Sequence, residues 1–182
     1  MFRPLLALAL VVLPACGGPS MPEGQVLSDV DRNLFNNAID FISDPMLLGG
    51  QWQDEWVTEL ESRVKRADNI FILRFDTIRT DVTPGEKDTY RLVGSVQARL
   101  WGAYDQKDVS LRVMPSDPSY PTMDANRRRT LNEHFLAFIK WEKGPPGQPA
   151  IPRWHLIKAS KAMNESISAQ IDQTKPGGVG GS

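Results

Sequence analysis

The stretch NIFILRFDTIRTDVTPGEKDTYRLVGSVQARLW, residues 69–101, decides the fold. Its first half carries Ile70, Phe71, Ile72, Leu73, Phe75 and Ile78, and its second half alternates Tyr90, Leu92, Val96, Ala98 and Leu100 with Arg91, Gln97 and Arg99. Period-two alternation is the pattern of a strand with one face buried. Between the halves, Thr83-Pro84-Gly85-Glu86-Lys87-Asp88 is turn chemistry. The reading is an antiparallel hairpin.

Downstream, residues 109–114 place Val109, Leu111 and Val113 on one face of a third strand, and 122–132 read as a helix. Residues 134–142 are apolar on both faces through Phe135, Leu136, Phe138, Ile139 and Trp141, as in a central strand covered on two sides. A fifth strand over 153–159 carries Trp154, Leu156 and Ile157, and a polar helix spans 161–171. Upstream, Ser28 or Asp29 caps a helix expected to run to Ile42, with Val30, Leu34, Phe35, Ala38, Ile39 and Ile42 in one stripe. A second helix over 52–67 sets Trp52, Trp56, Leu60 and Val64 at i, i+4 spacing, which predicts all four in the core.

The expected class is therefore α+β, with a mainly antiparallel five-stranded sheet or a small barrel preceded by two helices. Three strands, a helix and two strands is also the element order of the oligonucleotide/oligosaccharide-binding barrel. From Arg66-Ala67-Asp68 through Tyr90, Leu100-Trp101-Gly102 and Phe135 to Trp141, the chain resembles the barrel of netrin-type and metalloprotease-inhibitor modules. Those families are stapled by disulfides, whereas this sequence has one cysteine. The resemblance brings no functional residue with it. An antiparallel sheet backed by the two N-terminal helices, open or cone-shaped, is the alternative.

With 182 residues, one domain is expected, over 28–172, followed by a disordered Gly-rich tail at 173–182. Lys and Arg number 21 against 22 Asp and Glu, so the chain lacks the basic excess that nucleic-acid binding uses. Nucleic acid is excluded as an expected partner.

Residues 1–15 have the layout of an export signal: Arg3, an apolar run over 5–13, and small Ala15. The run is too short to span a bilayer, which takes about 20 apolar residues. Leu13-Pro14-Ala15-Cys16 resembles the lipobox of bacterial lipoproteins, with Pro14 in place of the usual small residue. That resemblance implies diacylglyceryl transfer to the Cys16 thiol, cleavage after Ala15, and acylation of the new amino terminus. Two or more acyl chains, at about 0.8 kcal/mol per buried CH2, hold a protein firmly to a membrane. Residues 16–27 would then be the lipidated cysteine and a flexible tether. Gly17 stands where inner-membrane lipoproteins often carry aspartate, so the resemblance points to the outer membrane, with the domain facing periplasm or surface.

Motifs for chemistry are absent. His134 and His155 are the only histidines and stand outside any HxH, HExxH or CxxC pattern, so no metal or cofactor is expected. There is no GxSxG, and Gly94-Ser95-Val96 lies within a strand; Gly49-Gly50 lacks the remainder of a phosphate loop. Asp54, Glu55, Glu59, Glu61, Asp76 and Asp81 supply carboxylates, but a glycosidase needs two facing each other across a cleft.

Three features suit binding instead. Trp101, Trp141 and Trp154 fall at strand ends, where an exposed indole fits a protein partner or a sugar ring. Arg127-Arg128-Arg129 suits anionic lipid headgroups or a polyanionic glycan, or is a solvated helix face. The loop Gly144-Pro145-Pro146-Gly147-Gln148-Pro149 is a docking surface or a connector. The expected function is a non-enzymatic, lipid-anchored interaction domain, serving as an accessory or assembly subunit of a cell-envelope protein complex. Two alternatives are a glycan- or lipid-binding periplasmic module and an envelope-polymer hydrolase using paired carboxylates.

Overall fold

Bulges shape the central hairpin. β2 (Asn69–Asp81) and β3 (Thr89–Trp101) are antiparallel from Ile70↔Trp101 to Asp81↔Thr89, with register shifts at Ile70/Phe71, Ile72/Leu73 and Phe75/Thr77. Each shift bends the strand and raises its twist, so the sheet curls. The computed structural model describes residues 22–42, 44 and 48–175; Cys16 and most of the expected tail lie outside them.

The remaining elements are α1 (Asp29–Leu34), β1 (Ala38–Asp40), α2 (Gly50–Arg66), β4 (Asp108–Val113), α3 (Tyr120–Asn126), a 3-10 turn (Arg127–Arg129), β5 (His134–Glu142), β6 (Ile151–Lys158) and α4 (Lys161–Thr174). The six-stranded sheet has the order β1-β6-β5-β2-β3-β4. β1 is parallel to β6 and every other pairing is antiparallel. The fold is thus α+β in class, but the expected five antiparallel strands are six in a mixed sheet. It is also open: β1 and β4 are edges, so the barrel suggested by the netrin-type resemblance does not close.

The extra strand comes out of the expected first helix. Ser28 caps α1, its Oγ accepting from Asp31 N–H, yet the helix stops at Leu34. Asn37 then takes φ 58°, a left-handed conformation that Asn tolerates. Its amide holds it there, with Nδ2 donating to Asp117 Oδ1 and Oδ1 accepting from Trp154 N–H. Beyond this break Ile39 and Phe41 pack on one face of the sheet and Ile42 on the other. That burial, on the order of 1–2 kcal/mol for each side chain, outweighs continuation of a short helix.

Two cores result. On the concave face, Phe71, Leu73, Phe75, Leu92, Leu111, Phe135, Trp154 and Leu156 pack with Tyr104 and Met123. On the other face, Ile70, Leu136, Phe138 and Ile157 meet Trp56, Leu60 and Val64 of α2 and Met163, Ile167 and Ile171 of α4. β5 contributes to both, as the expectation of a central strand required. At the N-terminal side Gln25 bridges Glu142 in parallel, its N–H donating to Trp141 O, and Leu27 is buried. The described chain therefore joins the domain beside the C-terminal end of α2, where Gln25 Nε2 also reaches Asp68.

Candidate functional site

The indoles expected at the surface are mostly core. Trp154 is fully buried and Trp141 is 2% exposed, stacked on Tyr104 at 5.6 Å with its Nε1 donating to Asn69 Oδ1 at 2.7 Å. Neither offers a ring face to a sugar. Trp101 is half-buried, with Lys175 Nζ 4.6 Å from its ring centroid. That ammonium also donates to Ala67 O, and burial pulls its pKa down to about 8.

The three arginines do not form one patch. Arg127 lies 5.2 Å over Tyr90 and donates to Thr80 Oγ1, Arg129 lies 4.1 Å over Phe41, and Arg128 is exposed. Two of the three guanidiniums thus cover the rim of the concave core by cation–π contact, worth about 0.5–1 kcal/mol at such sites. The acids are dispersed as well. Asp54, Glu55, Glu59 and Glu61 lie exposed along α2, Asp76 binds Arg74 and Ser95, and Asp81 binds Arg91 and Arg112.

The histidines sit in unlike surroundings. His134 is exposed and lines an open recess with Ile72 and Ser160. His155 is buried, its Nε2 without a hydrogen-bond partner, and burial followed by the charge of Arg63 drops its pKa to about 3. Among the described residues no three His, Cys, Asp or Glu side chains gather closely enough to share a metal ion.

What the structure does assemble is an apolar groove between α2 and α4, with a volume of about 530 Å³. α2 contributes Trp56, Val57 and Leu60; α4 contributes Met163, Ser166 and Gln170. Trp56 is fixed by a 2.6 Å hydrogen bond from Nε1 to Asp40 Oδ2. Gln170 Oε1 is buried and accepts no hydrogen bond, a polar acceptor in an otherwise greasy channel. Beyond the groove, Trp52 stands 71% exposed on the first turn of α2.

Trp52 was expected in the core, and helix geometry explains why it is not. Residues four apart on an α-helix are about 400° apart in rotation, so an i, i+4 stripe drifts by about 40° at each step. Val64 and Leu60 face the sheet, Trp56 sits at its margin, and Trp52 has turned into solvent. The α4 half of the groove is the part that residue spacing alone missed. Its available signal was Met163, Ile167 and Ile171 at the same i, i+4 spacing, a buried stripe within a helix otherwise read as polar. No protein-family model matches the chain, and no curated protein matches it.

Proposed function

We propose that this protein is a lipid-anchored interaction module of the bacterial cell envelope, an accessory or assembly subunit that receives an apolar segment of a partner protein in the α2–α4 groove. The observation that carries the reading is the exposed Trp52 standing next to that groove. A large exposed indole beside an apolar channel is the composition of an interface anchor, whereas singly exposed aliphatic side chains are ordinary surface.

The layout suits the role. The chain joins the domain beside Asp68, at the C-terminal end of α2, while Trp52 lies 14 residues before Arg66 at the other end, about 21 Å away along the helix axis. A lipid on Cys16 would sit at most about 30 Å of extended chain from Gly24. The anchor thus holds the domain close to the bilayer and leaves the groove turned away from it.

Photo-crosslinking in native membranes tests this. A photoreactive residue replacing Ala162 or Ser166, both exposed on the groove wall, is expected to capture one envelope protein, and Trp52→Ala is expected to reduce the adduct at least about tenfold, as for an interface hot spot. Adducts with lipid alone would move the reading to an acyl-chain site. No adduct, or one indifferent to Trp52, would remove the groove as a docking surface.

A further inference from the structure

β4 is a free sheet edge whose outward groups can be identified. Val96 N–H donates to Lys107 O, which makes Ser95↔Asp108 a non-hydrogen-bonded pair of the antiparallel ladder. Alternation then turns the N–H and C=O groups of Val109, Leu111 and Val113 towards β3, and those of Asp108, Ser110 and Arg112 away from it. Two contacts agree with this parity: Asp108 O accepts from Tyr104 Oη at 2.9 Å, and Met114 N–H, next in the outward series, donates to Asp117 Oδ2. The outward backbone groups of Ser110 and Arg112 pair with nothing among the described residues.

The side chains of the same three residues are exposed, and they belong to rows of opposite charge. Arg79, Arg91 and Arg112 lie directly opposite one another across β2, β3 and β4. Asp81 serves Arg91 at 2.9 Å and Arg112 at 3.8 Å, and no described carboxylate lies within 4 Å of Arg79. Further along the face, Asp108 pairs with Ser95, whose hydroxyl donates to Asp76. Like charges placed opposite each other are destabilising, so the arginine row favours an anion at its open end, beyond Arg112.

We propose that the partner of this edge is a second copy of the chain, with the two β4 strands antiparallel about a two-fold axis through Ser110. Asp108 of each copy then stands opposite Arg112 of the other, and Ser110 stands opposite Ser110. Each pair exchanges both backbone hydrogen bonds, because the outward groups face each other. The order Asp-Ser-Arg along 108, 110 and 112 is self-complementary only in this arrangement. An acidic segment of another protein would satisfy Arg112 but set a like charge against Asp108. The contact is isologous and closes as a dimer. It is small beside the roughly 1,200 Å² of a standard interface, so its dissociation constant falls on the order of 10⁻⁵ to 10⁻⁴ M. The edge is separate from the α2–α4 groove, and either proposal can fail without the other.

Cysteine crosslinking in the full-length chain tests it. Paired Cα atoms at the axis are about 5.5 Å apart, within the span of a disulfide. Ser110→Cys treated with an oxidant is expected to give a covalent dimer, whereas unsubstituted protein and an off-axis Glu86→Cys variant do not. Adding Asp108→Arg is expected to cut the crosslinked fraction about tenfold by replacing two attractions with two repulsions, and Asp108→Arg with Arg112→Asp is expected to restore it. A Ser110→Cys yield no higher than that of Glu86→Cys, a yield unmoved by Asp108→Arg, or a mixed disulfide with a different protein would each overturn the proposal.

Discussion

Acidification from pH 6.5 towards pH 3 is expected to remove roughly 4–5 kcal/mol of folding stability through His155 alone, at 1.36 kcal/mol per unit of pKa difference. The imidazole is buried on β6, its Nε2 has no partner, and Nδ1 lies 3.5 Å from Asn36 Oδ1. Arg63, 4% exposed and held by Leu34 O and Glu59, places a second positive charge nearby. As pH falls through 6.5 the unfolded chain takes up a proton that the folded chain refuses until about 3. Protons therefore favour the unfolded state throughout that window, and stability falls with pH until the loss saturates below it. Asp31 acts lower: hydrogen bonds from Arg66 and Ser28 outweigh its burial and hold its pKa below 3.8, so its contribution starts to be lost only near that pH. Urea unfolding across the window is expected to show the slope in the natural protein and not in His155→Leu, whose stability near neutrality should stay within about 1.5 kcal/mol of the original. Equal slopes in the two proteins would place the acid sensitivity elsewhere.

Replacing Gly102 by alanine is expected to cost about 3–5 kcal/mol, enough to threaten folding in a domain of ordinary stability. Gly102 has φ 91°, where an L side chain is strained, and a Cβ there would lie 2.0 Å from Asn69 Nδ2 and 2.3 Å from Asp68 O. Asn69 cannot yield freely, because its Oδ1 is the acceptor for the buried Trp141 Nε1. Pushing the amide aside orphans that donor, which adds about 1–3 kcal/mol to the backbone strain. Gly147 is the control: φ is 80° and a Cβ there would meet nothing within 4 Å, so Gly147→Ala is expected to cost only the backbone strain, about 1–2 kcal/mol. Denaturation midpoints of the two variants separate the terms, and similar values for both would show that Asn69 and Asp68 give way.

Periodicity made the sheet legible and left its surroundings obscure. The hairpin over 69–101 and the doubly covered β5 followed from alternation and from the absence of it, since those patterns report burial on one face or on two. The break at Asn37 was hidden because the residues on either side continue a helical stripe by coincidence. Only the contacts of the Asn37 amide with Asp117 and Trp154, distant in sequence, select the strand. Trp141 and Trp154 illustrate a related limit: position near a strand end does not determine exposure when a loop residue such as Tyr104 folds over the ring. The groove was half visible, through the tryptophan stripe of α2, and half hidden, because its width depends on how α4 lies against α2. The arginine row needed strand register, which no single strand records.

Metabolic labelling with a fatty-acid probe in the native cell bears most directly on the membrane-held module. Natural protein is expected to carry the probe, to begin at a blocked Cys16 and to sediment with membranes, while Cys16→Ser carries none and does not undergo the same maturation. An unlabelled natural protein, free of the membrane fraction with residues 1–15 still attached, would contradict the anchor and the envelope role together.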